Sequence, residues 1–254
     1  MSDSPSPSAM PRAPAAGTGT AASGAAAHAQ ASTVMEERDA AGQVVCRTSL
    51  LGGVPHGEMV RYGPGGVPLL EAHYLGGELS GPLRIFDANG VLVQEACYAA
   101  GRLHGVTTLY QDGRVAARRQ YALGVLHGES VSYAPSGLAT SRLHYEAGKL
   151  EREAVYLHDG AVVRRAHYRA GLLEGETHDY AGNGALVQTS PYQHDLLHGT
   201  VRRFGPDGQL REERRYAKGK PQGAWRNVAA AAQQHDAAGA APRLVKHLEK
   251  WVKG

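Results

Sequence analysis

The stretch Gly105–Gly128, GVTTLYQDGRVAARRQYALGVLHG, carries the pattern that decides the fold. It opens on glycine, reaches an aromatic at Tyr110, turns at Asp112-Gly113, reaches a second aromatic at Tyr121, and closes on Leu126-His127-Gly128. Asp-Gly between two apolar runs is a hairpin signal, because both positions of the favoured two-residue turn need positive φ. Counting back from Tyr121, Val115 lies on the tyrosine's side of the strand, while Arg118 and Gln120 point the other way. One face of such a strand is apolar and the other polar, as in an antiparallel sheet.

Outward from this stretch the pattern repeats. Gly57, Gly81, Gly105, Gly128, Gly175, Gly199 and Gly223 recur with a period of 23 or 24, and Arg152 stands where an eighth glycine is expected. A second glycine marks mid-unit at Gly66, Gly90, Gly113, Gly137, Gly160, Gly184 and Gly208, usually after Pro, Asp, Asn or Ser, which are turn residues. All 12 tyrosines and both phenylalanines fall on one comb: Tyr62, Tyr74, Phe86, Tyr98, Tyr110, Tyr121, Tyr133, Tyr145, Tyr156, Tyr168, Tyr180, Tyr192, Phe204 and Tyr216. Their spacing of 11 or 12 residues excludes a long amphipathic helix and fits one aromatic per strand. The expected fold is therefore all-β: an elongated antiparallel meander of seven stacked hairpin units, each reading strand, glycine turn, strand, glycine turn. Two aromatic ladders run along opposite margins, with members roughly 10 Å apart because each ladder skips a strand.

The flanks read differently. Residues 1–33 are Ala, Ser, Pro and Gly with almost no large side chain, and predict a disordered tail. Residues 34–56, with Gly42, Val44, Val45, Leu50 and Gly53, echo a unit without its tyrosine and predict a degenerate capping hairpin. Repeats fill 57–228, with Trp225 placed to close the last strand. An Ala-rich linker, 229–241, precedes a short C-terminal amphipathic α-helix over 242–254, opened by Pro242. Leu244, Val245, Leu248, Trp251 and Val252 form its apolar face, and Arg243, Lys246, Lys250 and Lys253 its basic one. It either caps the sheet or contacts an anionic membrane surface or a partner groove.

Composition narrows the function. Among 254 residues, 33 glycines against 2 tryptophans and 2 phenylalanines indicate turns instead of one large core. The formal net charge of +3 predicts no nucleic-acid binding. Cys46 and Cys97 have no ligand spacing and read as free thiols in a reducing, cytoplasmic setting. Neither an export signal nor an 18-residue apolar span is read in the sequence. The His-Gly pairs at His56, His104, His127 and His198 lie a repeat or more apart, too far to share a metal ion, and read as turn positions. Walker, dinucleotide, nucleophile-elbow and H-E-x-x-H motifs are absent, so no catalytic set, cofactor or metal is expected and the chain reads as a non-enzyme.

The unit resembles the MORN repeat in its bacterial variant form, through Gly105, Tyr110, Gly113, Tyr121, Gly124, Leu126, His127 and Gly128, and the likeness extends over about residues 36–225. The departure at Glu151-Arg152, where the aromatic spacing also shortens, predicts a local bulge. The resemblance implies a protein-binding module similar to bacterial antitoxin or immunity proteins, which neutralise a partner toxin or effector. A membrane- or lipid-associated scaffold using the basic helix is the alternative it leaves open. The expected binding residues are the aromatics Tyr62, Tyr74, Phe86, Tyr98, Tyr110, Tyr121, Tyr133, Tyr145 and Tyr168, together with Trp251.

Overall fold

The computed structural model describes residues 31–228, which divide between two compact units, one within Met1–Val125 and one within Leu126–Gly254. In the first unit the strands are β1 (Ser32–Arg38), β2 (Val44–Leu51), β3 (Val54–Tyr62), β4 (Pro68–Leu75), β5 (Glu78–Phe86), β6 (Leu92–Ala99), β7 (Arg102–Leu103), β8 (Gly105–Gln111) and β9 (Arg114–Ala122). The second holds β10 (Val125–Tyr133), β11 (Ala139–Glu146), β12 (Lys149–His158), β13 (Ala161–Arg169), β14 (Leu172–Leu173), β15 (Gly175–Tyr180), β16 (Leu186–Gln193), β17 (Leu196–Leu197), β18 (Gly199–Phe204), β19 (Leu210–Ala217), β20 (Lys220–Pro221) and β21 (Arg226–Asn227). Within each unit the strands form an antiparallel meander. The linker 229–241 and the helix 242–254, with Trp251, lie outside the described residues. So does most of the tail, but Ser32 and Thr33 already pair with Leu51 and Leu50, so β1 begins two residues inside the stretch assigned to that tail.

Two-residue turns join many of the strands. Leu123 and Gly124 have φ of 51° and 87°, the paired positive values that match the twist of the strands they join. The turns at this margin are also tied to the start of the strand that follows the preceding one: Gly77 N donates to Pro55 O (2.8 Å), Gly101 N to Leu79 O (2.8 Å), and Gly171 N to Leu150 O (2.9 Å). One margin is thus stitched by backbone hydrogen bonds that no side chain controls.

The repeat glycine is not a turn residue as its sequence position suggested. Gly81 lies inside β5, where Ala72 faces Leu83 and Tyr74 faces Leu79, so three residues stand against His73. This bulge gives Gly81 a φ of 108°, and His73 Nδ1 lies 2.8 Å from Ser80 O. On its other side Gly81 pairs with Tyr98, as Gly57 does with Tyr74, Gly105 with Tyr121 and Gly199 with Tyr216. One residue thus re-aims the strand and leaves its face clear opposite the aromatic.

Register and the two-residue alternation sort side chains onto two faces. Repeat glycines and the second-strand tyrosines share one, called here the glycine face. In the first unit Ala72, Tyr74, Leu83, Ala96 and Tyr98 form a buried cluster there, packed by Met59, Leu70, Leu79, Ile85 and Leu103. In the second, Ala154 and Ala166 are buried on it together with Thr177, Ser190 and Val201. The other face carries ion pairs: Arg84 reaches Glu95 (3.2 Å) and Glu71 (3.6 Å), and Arg165 reaches Glu153 (2.7 Å).

Arg152 occupies the glycine position with φ 65°, in a bulge displaced by one residue from that of the other repeats: Arg142 faces Val155 and His144 faces Glu151, so Arg152, Glu153 and Ala154 stand against Leu143. The missing residue is absorbed just beyond it. Elsewhere the first-strand aromatic pairs beyond a second bulge, as Tyr133 does with Ala139 and Tyr180 with Leu186. In β12 that place is held by Leu157, opposite Val162, and Tyr156 falls one position earlier, opposite Arg164. A one-residue shift turns a side chain to the other face, so Tyr156 joins the glycine face.

Candidate functional site

The expected aromatic residues do not share one face. Tyr74, Tyr98, Tyr121, Tyr145 and Tyr168 lie on the glycine face by their register, whereas Tyr62, Phe86, Tyr110 and Tyr133 alternate onto the charged one. The reason is the odd number of places between each first-strand aromatic and its glycine. Tyr180, equivalent to Tyr133, shows the setting: its ring stacks beside His178 at 6.5 Å on the charged face. Only the second-strand set is continuous with the buried residues. Burial raises the phenol pKa of Tyr74 and Tyr98 above the ordinary tyrosine value, with Cys46 and Tyr121 adding to it respectively.

The shift at Tyr156 assembles a site on the second unit's glycine face. Tyr156 and Tyr168 hydroxyls lie 3.4 Å apart. Together with Arg164, Thr177, Asp179 and Tyr192 they line an open hollow of about 520 Å³, floored by Ala166. Arg164 Nε donates to Asp179 Oδ1 (2.6 Å) and Nη2 to Oδ2 (3.2 Å), a two-point pair between cross-strand neighbours on β13 and β15. Thr177 Oγ1 donates to Ser190 O at 3.2 Å, which satisfies the one hydroxyl buried beneath. Burial first, then the hydrogen bond to Tyr168, push the Tyr156 phenol far above the usual tyrosine range, so it stays protonated at neutral pH. The Asp179 carboxylate, through its hydrogen bond, raises the Arg164 pKa above its ordinary value.

Farther along the same column Arg203 donates to Gln188 Oε1 (3.2 Å) and Glu212 Oε2 (3.4 Å), and its guanidinium lies 3.9 Å from the centre of the Trp225 ring. Arg164, Asp179, Tyr192 and Tyr156 were not among the residues expected from the sequence. The signal that could have found them is the spacing of 11 between Tyr145 and Tyr156, which a period-two strand converts into a change of face. Among the described residues no group of three or more His, Cys, Asp or Glu could hold a metal ion, and both cysteines are free thiols.

The family described as MORN repeat variant matches residues 79–100 and 197–218, one segment in each unit. Two segments of the chain thus match this repeat. Each matched segment runs from the close of one two-residue turn, through a repeat glycine and both aromatics, toward the next, and its first residue accepts the bond from the glycine just beyond its end: Gly101 N donates to Leu79 O and Gly219 N to Leu197 O. No curated protein matches. Solved structures share only slight likeness. A mutant of TarM from S. aureus in complex with Fondaparinux, alpha-GlcNAc-glycerol and UDP is 13% identical over 46% of this chain and 19% of its own, with a TM-score of 0.24. A second TarM structure is 14% identical over 46% and 20% (TM-score 0.23). A GtfA/B complex bound to UDP and GlcNAc is 13% identical over 52% and 25% (TM-score 0.19). The chain thus spans at most a quarter of those proteins, and scores this low carry no argument about fold or activity.

Proposed function

We propose that this chain is a non-catalytic protein-binding module of the bacterial antitoxin or immunity kind, whose glycine face engages and neutralises a toxin or effector. The observation that carries the reading is the hollow of the second unit, where three tyrosines and a half-exposed arginine converge. Tyrosine and arginine dominate the energetics of protein interfaces, because they bring large area with few rotors and directional donors. MORN repeats serve generally as protein and membrane interaction motifs, which supports the class; the narrower antitoxin role rests on resemblance.

The test is co-expression with neighbouring genes of the source genome. A neighbour that arrests growth alone and is tolerated with this chain supports the reading, and a complex between the two should then be isolated. Tyr121→Ala removes a glycine-face ring and should weaken that complex at least about tenfold, the range of an interface anchor. Tyr110→Ala, on the charged face, should leave it within about twofold. Absence of any toxic neighbour, with vesicle flotation that depends on residues 242–254, would point to a membrane scaffold instead.

A further inference from the structure

The second unit's hollow presents more than contact area. Two cross-strand arginines of this protein are flanked by acceptors on both sides: Arg84 lies between Glu71 and Glu95, and Arg203 between Gln188 and Glu212. Arg164 has an acceptor on one side only. Its other cross-strand neighbour is the displaced Tyr156, whose hydroxyl is turned to Tyr168. The bonds to Asp179 run through Nε and Nη2, so Nη1 and the outer hydrogen of Nη2 remain for a further acceptor.

The groups open to a ligand are mainly donors. Asp179 uses both oxygens on Arg164 and its side chain is 21% exposed, against 50% for the arginine. The Tyr156 hydroxyl stays protonated, and the ring edges of Tyr156, Tyr168 and Tyr192 carry the positive part of the aromatic quadrupole. A donor-rich, ring-walled hollow around a guanidinium suits a planar anion, and the charge-assisted two-point contact is the strongest it can make.

We infer that this hollow is a receptor for a carboxylate, namely an Asp or Glu side chain projecting from the protein partner, which Arg164 holds as a second carboxylate opposite Asp179. The occupant fits the geometry that Arg84 already adopts between Glu71 and Glu95. Tyr156 reaches the site only because β12 is one residue short, which makes the departure from the repeat a specificity device and not a defect.

The inference rests on the protein-binding reading, and its test is independent of any partner. The ¹⁵N-labelled full chain is titrated with N-acetyl-glutamate N-methylamide and, separately, with the glutamine counterpart, while the Arg164 Nε–H resonance is followed. The glutamate probe should give a saturable shift at least about fivefold tighter than the amide, since only the carboxylate makes a charge-assisted bond. Arg164→Gln should abolish it. An alanine inserted between Arg152 and Glu153, which returns Tyr156 to the charged face, should weaken it at least about threefold by removing one wall. Unchanged amide resonances in β16–β19, within the same unit, confirm that neither variant has unfolded. Equal binding of both probes, binding retained by Arg164→Gln, or no saturable shift at Arg164 would overturn the inference. A silent probe alongside a complex still sensitive to Tyr121→Ala removes the carboxylate site and leaves the binding face. A responsive probe with no toxic neighbour upholds the site and removes the antitoxin reading.

Discussion

Equivalent columns of the two units teach how one repeat serves two ends. In the first unit the glycine-face column nearest the mid-unit turns runs Arg61, Leu70, Ile85, Gln94, Leu109 and Ala117, and Leu70 and Ile85 pack on a buried cluster. In the second unit the same column runs Tyr156, Arg164, Asp179, Gln188, Arg203 and Glu212, polar groups that include the hydrogen-bonded sets Arg164–Asp179 and Gln188–Arg203–Glu212, beside an open hollow. Both units share the bulge glycine, the second-strand tyrosine and the tied turns. Those elements fix register by backbone geometry, so the column between them is released from maintaining the fold. It is filled for stability in one unit and for polar display in the other.

The largest expected effect tests the apolar half of that contrast. Leu83 is 1% exposed and sits at the centre of the first unit's cluster, so Leu83→Ala should destabilise by about 3 kcal/mol through lost burial and a residual cavity. Val201, 3% exposed at the corresponding place in the second unit, should lose about 2 kcal/mol as Val201→Ala, since fewer methyl groups are removed. Urea unfolding followed by separate amide resonances in each unit checks both. Equal losses would show that the second unit has an apolar core of the same weight.

Next comes the shared scaffold. Gly199 has φ 119°, and a Cβ there would lie 2.9 Å from Cγ of Pro191, a ring that cannot swing aside. Gly199→Ala should therefore cost about 2 kcal/mol, backbone strain and collision together. Gly137, at φ 85° with open space where its Cβ would be, should cost only about 1 kcal/mol as Gly137→Ala. If the two cost the same, the bulge needs glycine for its backbone alone and not for the close approach of the neighbouring strand.

How much of this could be read in the sequence follows from the same geometry. The period, the strand-per-aromatic rule and the antiparallel meander rest on local patterning, and Gly105–Gly128 contains all of it. The role of Gly81 was not legible, because a bulge and a turn both ask for positive φ and only the partner strand tells them apart. The division of the aromatics between faces was hidden for a related reason: a bulge between Gly57 and Tyr74 breaks the simple count along the chain. Arg164 and Asp179 lie 15 residues apart in sequence, and nothing local announces that they pair. The short spacing before Tyr156 was visible as an irregularity, and its consequence needed the register of β13.

A paired substitution sharpens the contrast at about 1 kcal/mol. Thr107 in the first unit and Thr177 in the second occupy equivalent glycine-face positions, 4% and 2% exposed. Thr107 Oγ1 has no hydrogen-bond partner among the described residues, whereas Thr177 Oγ1 donates to Ser190 O. Replacing an unsatisfied buried hydroxyl by a methyl of the same shape removes a desolvation penalty, so Thr107→Val should stabilise by about 1 kcal/mol. Thr177→Val should destabilise by about as much, leaving the Ser190 carbonyl without that donor. Thermal unfolding of the two variants side by side decides it, and shifts of the same sign would erase the distinction between an apolar and a polar column.

The smallest effect separates the two oddities of the irregular repeat. Arg152 holds φ 65° in a place otherwise given to glycine, a conformation that costs an ordinary residue about 1 kcal/mol. Against this stands the Arg152–Glu146 pair at 2.6 Å, with side chains 66% and 45% exposed and worth at most about 0.5 kcal/mol after solvent screening. Arg152→Gly should therefore stabilise the second unit by roughly 0.5 kcal/mol, readable as a rise in urea midpoint at constant slope. It should leave the Arg164 response to the glutamate probe unchanged, because the face of Tyr156 is set by the missing residue and not by the arginine. If instead the probe response disappears with Arg152, the strained arginine helps to hold the register of β12. The hollow would then depend on the backbone conformation of the bulge as well as on the length of the strand.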